Sequence, residues 1–184
     1  DFFGYLSDQI TQSSFIEKNY VNPSEVLIFP EEKKNLIYIY LESMENTFAS
    51  RIDGGAFTEN YIPELTDLAK ENVTFSNKDA VLGGNPQTVG TGWTMAAMFS
   101  HSTGLPLKVP VQGNSLSEIS TFFPGVTSIG QVLKEEGYKN YLMVGSDATF
   151  GGRRNFYTAH GDYEILDYDV AIEKQIIPED YKVF

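Results

Sequence analysis

The chain has 184 residues, 41% of them apolar and 21% charged, the proportions of a folded domain rather than a disordered one, and a chain of this length buries roughly 70% of its unfolded surface. Thirteen basic against twenty-five acidic residues leave a net charge of −12. That balance excludes a general nucleic-acid binder, which needs a basic face to displace counterions, and docking on anionic lipid through bulk charge. Cysteine is absent, so disulfides, thiolate metal sites and cysteine nucleophiles are excluded together. The longest apolar run, residues 36–41, is far too short to span a bilayer. No signal peptide opens the sequence, which starts at Asp1 and closes at Phe184 without a stop pattern; a piece of a longer polypeptide is expected.

Residues 1–34 are mixed in pattern and read as an arm or linker, with a short helix at 8–17 and breaks at Asn22-Pro23 and Pro30. A domain start is placed at Asn35, where the charged cluster 31–34 gives way to a run apolar on both faces, the pattern of a central parallel strand at 35–41. A loop with Asp53, Gly54 and Gly55 follows, then a helix over 63–71 with Pro63 in its first turn and Leu65, Leu68 and Ala69 as the buried stripe. A short strand is expected at 73–77. A glycine-rich loop, 83–92, leads into a helix over 93–102 capped by Gly104, with Pro106 beyond. Residues 105–126 read as loop. An amphipathic helix at 127–136 ends at Gly137, a strand occupies 141–144, a helix 151–160 ends at Gly161, and a last strand lies at 163–166. Strands alternating with helices predict an α/β fold with a mainly parallel central sheet flanked by helices.

In such sheets chemistry gathers where strands end and helices begin. Glu42 directly follows the first strand. It is a candidate oxygen ligand for a hard divalent cation; a solvated loop acid is the competing reading. Glu45 is its nearest rival and reads as a surface acid, and the Ser43 hydroxyl reads as a local turn partner. Thr94 stands where the glycine loop enters a helix. Unpaired amides there create a positive potential that stabilises an alkoxide and a transferring phosphate, and a bound cation would lower the pKa of the hydroxyl further. A helix cap at Thr91 or Thr94 is the simpler alternative. This is not a Walker loop, since no Gly-Lys-Ser/Thr follows the glycines. Arg153 and Arg154 follow Gly151 and Gly152 just after the strand end at Gly145, Ser146 and Asp147. Such a pair grips a phosphate bidentately; an exposed basic pair at a helix start is the other reading. Asp147 is either a supporting partner of that site or an Asx-turn residue. His101 and His160 read as structural.

These three places together resemble one family. The strand at 35–41 followed by Glu42 and Ser43 resembles the first strand and metal-binding glutamate of lipoteichoic acid synthases and of the phosphoglycerol transferases acting on periplasmic glucans. Gly90, Thr91, Gly92, Trp93 and Thr94, then Met95 to Ser100, are similar to their nucleophile segment. Leu105 to Leu107 and Gly113 to Ser115 resemble the glucan-type branch, and Phe150 to Arg153, with Asn155 to Tyr157, the stretch supplying a substrate-binding arginine. The likeness covers about residues 35–168. It implies the alkaline-phosphatase/sulfatase-like fold, incomplete in this chain. It implies a membrane-anchored enzyme whose catalytic domain faces outside the cell, the anchor preceding residues 1–34.

The activity implied is metal-dependent transfer of phosphoglycerol from phosphatidylglycerol to a glycan or polymer hydroxyl through a threonine-bound intermediate. By resemblance Glu42 is a metal ligand, Thr94 nucleophile and metal ligand, and Arg153 a phosphate contact. The metal is manganese in the lipoteichoic group, with zinc or magnesium as alternatives. The Asp-His pair that completes the family's ligand set does not occur in these residues, and Gly151 stands where lipoteichoic acid synthases have a tryptophan. The chain alone is therefore expected to bind metal weakly and not to turn over, and to pair with a second copy or with the missing C-terminal part. A phosphoethanolamine transferase or a phosphoester or sulfuric-ester hydrolase of the same superfamily is the first alternative. A true sulfatase is disfavoured, because no Cys/Ser-x-Pro-x-Arg segment is present. A non-catalytic domain binding cell-wall glycan or a partner protein is the second alternative.

Overall fold

The computed structural model describes residues 14–77, 82–109 and 113–181. In chain order its helices and strands are α1 (Phe15–Asn19), α2 (Pro23–Val26), α3 (Pro63–Glu71), α4 (Thr94–Thr103), α5 (Ile129–Glu135), β1 (Tyr141–Met143), α6 (Arg153–Ala159), β2 (Glu164–Leu166) and α7 (Tyr168–Glu173). Short 3₁₀ stretches lie at Asn46–Phe48, Gly113–Glu118 and Phe150–Gly152. None of the described helices is long and apolar enough to cross a membrane. The expected helix at 8–17 lies mostly outside the described residues; what is seen is α1. Asn22-Pro23 does not break the chain but starts α2: the Asn22 side chain accepts from the Ser24 amide and Pro23 sits in the first turn, where its missing N–H is no loss.

The chain divides into two compact units, residues 35–94 and residues 1–34 with 95–184. The second holds the core. Phe99, Phe122 and Phe156 are buried and pack ring to ring, Phe156 lying 5.5 Å by centroid from each of the other two. Tilted and edge-on aromatic pairs at such distances add to the gain from burial itself. Met95, Met98, Leu107, Leu116 and Leu142 close the cluster. β1 and β2 pair in parallel, with Leu142 opposite Ile165. Parallel neighbours need a crossover, which α6 supplies. Asn140 ties the strand ends to the helices by donating to the Gly130 and Gly161 carbonyls at 2.7 and 2.8 Å. Gly152 has φ +80°, and a Cβ there would meet the Leu116 carbonyl at 2.8 Å, so only glycine lets the 3₁₀ stretch before α6 pack this closely. The caps at Gly104 and Gly137 form as the sequence predicts, both at positive φ.

Unit 35–94 is built differently. Its most apolar segment, 35–41, runs without a ladder partner among the described residues, and Ile37 is 81% exposed. The predicted strand is therefore not a strand here: a segment apolar on both faces forms one only between neighbours that cover both faces and pair both edges. The same holds for 73–77, where Phe75 is exposed. In α3 the predicted stripe is likewise uncovered. Leu65 and Leu68 are exposed and Thr66 is the buried residue, donating to the Ile62 carbonyl at 2.9 Å and bonded to Asn60. What orders the unit is polar. Asp53 accepts from Ser50 at 2.6 Å and pairs with Lys70 at 2.5 Å. Gly55 sits so close to the Ala49 carbonyl that a Cβ would lie 1.9 Å from its oxygen.

Candidate active site

Glu42 follows the extended run and lies in a tight turn in which the Met44 amide donates to the Leu41 carbonyl at 3.4 Å. Ser43, directly after it, has φ +54°. The left-handed region costs a residue with a Cβ about 1–2 kcal/mol, and strain of this kind gathers at functional turns. Thr94 is both the last residue of unit 35–94 and the first of α4. Fifty-two residues apart in sequence, the two meet: Thr94 Oγ1 lies 3.2 Å from Oε1 and 3.2 Å from Oε2 of Glu42, its one proton shared between both carboxylate oxygens.

Their rivals are engaged elsewhere. The Thr91 hydroxyl donates to the Thr88 carbonyl at 2.8 Å, and Glu45 accepts from the Thr47 hydroxyl at 3.1 Å. The donors that Glu42 and Thr94 bring together are three hard oxygens on two side chains. That chemistry fits a hard divalent cation as part of a coordination sphere, though six or more ligands complete one for such ions.

The second cluster lies in the other unit, at the carboxyl end of β1. Ser146 and Asp147 lead through a turn to Arg153, the first residue of α6. As a whole residue Arg153 is nine-tenths buried. Its Nη2 donates to Ser146 Oγ at 3.1 Å and to the Asp147 carbonyl at 2.7 Å, and its Nε to the Phe150 carbonyl at 3.1 Å. All three acceptors are neutral, and no carboxylate lies within ion-pair distance of it among the described residues. A largely buried charge without a counter-charge is costly, and among the described residues Nη1 makes no hydrogen bond.

Arg154 is not its twin. It pairs with Asp167, which is fully buried, so the two adjacent arginines do not form a joint grip. The Asp147 carboxylate turns back to accept from the Thr149 amide at 2.7 Å. That bond, with the Thr149 hydroxyl and then Arg154 and Arg153, holds its pKa below the ordinary carboxylate value. The bond to the Thr149 amide is that of an Asx-type turn. His160 is buried with its Nε2 against the Phe122 carbonyl, a structural role, and His101 is exposed in the last turn of α4.

Asp167 had no place in the sequence reading, yet it joins Asp147 and Asp169 in a group of carboxylates within 4.8 Å of one another. The group is not a metal centre. Arg154 already supplies the cation, and both Asp167 oxygens are engaged by Arg154 and the Ala148 and Val170 amides. The signal that could have found Asp167 is its position just before an apolar helical run, the N-cap pattern.

An α/β scaffold places its chemistry at strand ends and helix N-termini without saying which chemistry that is. Comparison with known proteins narrows it. The sequence model described as Sulfatase matches residues 34–184, and the chain belongs to the sulfatase family, with the α/β fold of the alkaline-phosphatase/sulfatase-like superfamily present in part. It is 37% identical over 142 residues to proteins named phosphoglycerol transferase I from Escherichia coli O139:H28 (strain E24377A / ETEC), Escherichia coli O157:H7 (strain EC4115 / EHEC) and Shigella boydii serotype 18 (strain CDC 3083-94 / BS512). The match takes in 77% of this chain and 17% of the length of each relative. No solved structure matches.

Proposed function

We propose that the protein to which these residues belong transfers phosphoglycerol from phosphatidylglycerol to a hydroxyl of a glycan or polymer, with Thr94 as nucleophile. The observation that carries the reading is the meeting of the Thr94 hydroxyl with both carboxylate oxygens of Glu42, at 3.2 Å each, in the first turn of α4. The likeness to proteins named phosphoglycerol transferase I supports the choice of group transferred.

In the first half-reaction Thr94 Oγ attacks the phosphorus of the head group. A new O–P bond forms as the Thr94 hydroxyl gives up its proton on the Glu42 side, the P–O bond to diacylglycerol breaks, and the departing oxygen takes up one proton in exchange as diacylglycerol leaves. The Thr94 hydroxyl proton points at Glu42, which turns the oxygen's lone pairs outward toward substrate, while the unpaired amides of the helix start face the phosphate oxygens. In the second half-reaction the acceptor hydroxyl attacks the same phosphorus, the bond to Thr94 breaks, and Thr94 regains its proton.

Glu42 and Thr94 would hold a divalent metal, manganese in this reading, together with ligands outside these residues. Such an ion lowers the pKa of an alcohol and takes up developing charge. Arg153 serves as a phosphate contact, in keeping with a largely buried arginine whose acceptors among the described residues are all neutral. Residues 1–34 lead in from a membrane anchor, and the catalytic domain works on the extracytoplasmic face.

The test is mass spectrometry of the full-length protein after incubation with phosphatidylglycerol. A glycerophosphoryl adduct on Thr94, absent from Thr94→Ala, is expected. An ethanolamine-bearing adduct formed from phosphatidylethanolamine instead, or no adduct together with undiminished function of Thr94→Ala, overturns the reading.

A further inference from the structure

We infer that Asp167 is a positioning residue for the arginine site: through a single rigid peptide plane it aims the carbonyl that holds Arg153. The inference rests on the reading of Arg153 as a phosphate contact. Asp167 caps α7, its Oδ1 accepting from the Val170 amide at 3.2 Å. Capping needs only one neutral acceptor, which Ser or Asn supplies equally well. Burying a full carboxylate there calls for a further reason, because a buried charge must be paired and hydrogen-bonded throughout.

The reason lies nineteen residues back. Oδ2 accepts from the Ala148 amide at 3.0 Å and from Arg154. The Ala148 N–H and the Asp147 C=O belong to the same peptide unit, which is planar and trans. Fixing the N–H from one side therefore fixes the direction of the C=O on the other. That carbonyl accepts the 2.7 Å bond from Arg153 Nη2. The Ala148 carbonyl is held as well, accepting from the Arg154 amide at 2.8 Å. The polarised peptide passes part of the Asp167 charge to the guanidinium while no carboxylate touches it, so Arg153 is oriented without being neutralised. The two loops come side by side because β1 and β2 are adjacent, the Val144 amide donating to the Leu166 carbonyl at 3.1 Å just before them.

The test uses the full-length protein, selectively labelled at arginine Nε, titrated with inorganic phosphate and followed by its Arg153 signal, assigned by loss in Arg153→Lys. Asp167→Asn and Asp167→Ser both keep an acceptor for the Val170 amide and remove the charged arm. Asp167→Ser serves if Asp167→Asn does not fold. Each is expected to shift the Arg153 Nε signal before any phosphate is added and to weaken phosphate about tenfold, the scale of one charge-assisted hydrogen bond. Arg154→Lys, which keeps a cation beside Asp167 and leaves the bond to Ala148 in place, is expected to leave the signal where it is. An unmoved Arg153 signal in a folded Asp167 variant overturns the inference. Phosphate binding that Arg153→Lys leaves unchanged overturns the phosphate-contact reading instead, while the unliganded signal still decides the role of Asp167.

Discussion

Unit 35–94 and the unit formed by residues 1–34 and 95–184 are near-equal in apolar character but opposite in how they use it. In the larger, Phe122 and Phe156 are fully buried and hydrogen-bonded loops close over them. In the smaller, Leu36 to Leu41 stay exposed and polar contacts around Asp53 keep the order. Yet the smaller unit carries both Glu42 and Thr94. A strand apolar on both faces is stable only between covering layers, which 35–41 lacks among the described residues, whereas the aromatic cluster is packed. The site at Glu42 thus depends on a turn and a helix start rather than on a packed sheet around it.

Five substitutions test this contrast between the units. The largest effect is expected from Thr94→Ala in the full-length protein: with Thr94 as the proposed nucleophile, transfer falls on the order of 10⁶-fold, with stability within about 0.5 kcal/mol. Activity assays beside thermal melting check both halves. Next, Phe156→Ala removes about 3–5 kcal/mol of stability through the cavity it leaves, while Ile37→Ala in the 184-residue chain changes it by less than about 0.5 kcal/mol. Urea unfolding of the two variants measures the contrast directly, and equal losses would mean that 35–41 is packed after all.

A smaller effect is pH-dependent. The bond from Lys70, then that from Ser50, holds the Asp53 carboxyl below its ordinary pKa. In the window between the folded and unfolded values the unfolded chain binds more protons, so stability rises with pH there. The contribution is present at neutral pH and is lost as pH falls through the lowered folded value. Asp53→Asn is expected to flatten that acid limb, read from melting temperatures between pH 2 and 7. The smallest is Ser43→Gly, which relieves the positive φ beside Glu42 and is expected to stabilise by about 1 kcal/mol or less, seen in denaturant midpoints.

The sequence by itself determined the local elements whose causes are local. α3 begins at Pro63, α4 ends at Gly104, α5 ends before Gly137, and the pair of parallel strands with a helix between them was legible from alternating pattern and glycine punctuation. Glu42, Thr94 and Arg153 were legible as candidates because each follows a predicted strand or opens a predicted helix. Only the tertiary structure decided which of them meet. No local rule says that the Thr94 proton is shared by the two oxygens of Glu42, that Arg154 is taken by Asp167 while Arg153 is left without a carboxylate, or that 35–41 stays uncovered. Those outcomes depend on contacts between residues tens of positions apart, and the free energy of such contacts is set by what surrounds them, not by the residues' own preferences.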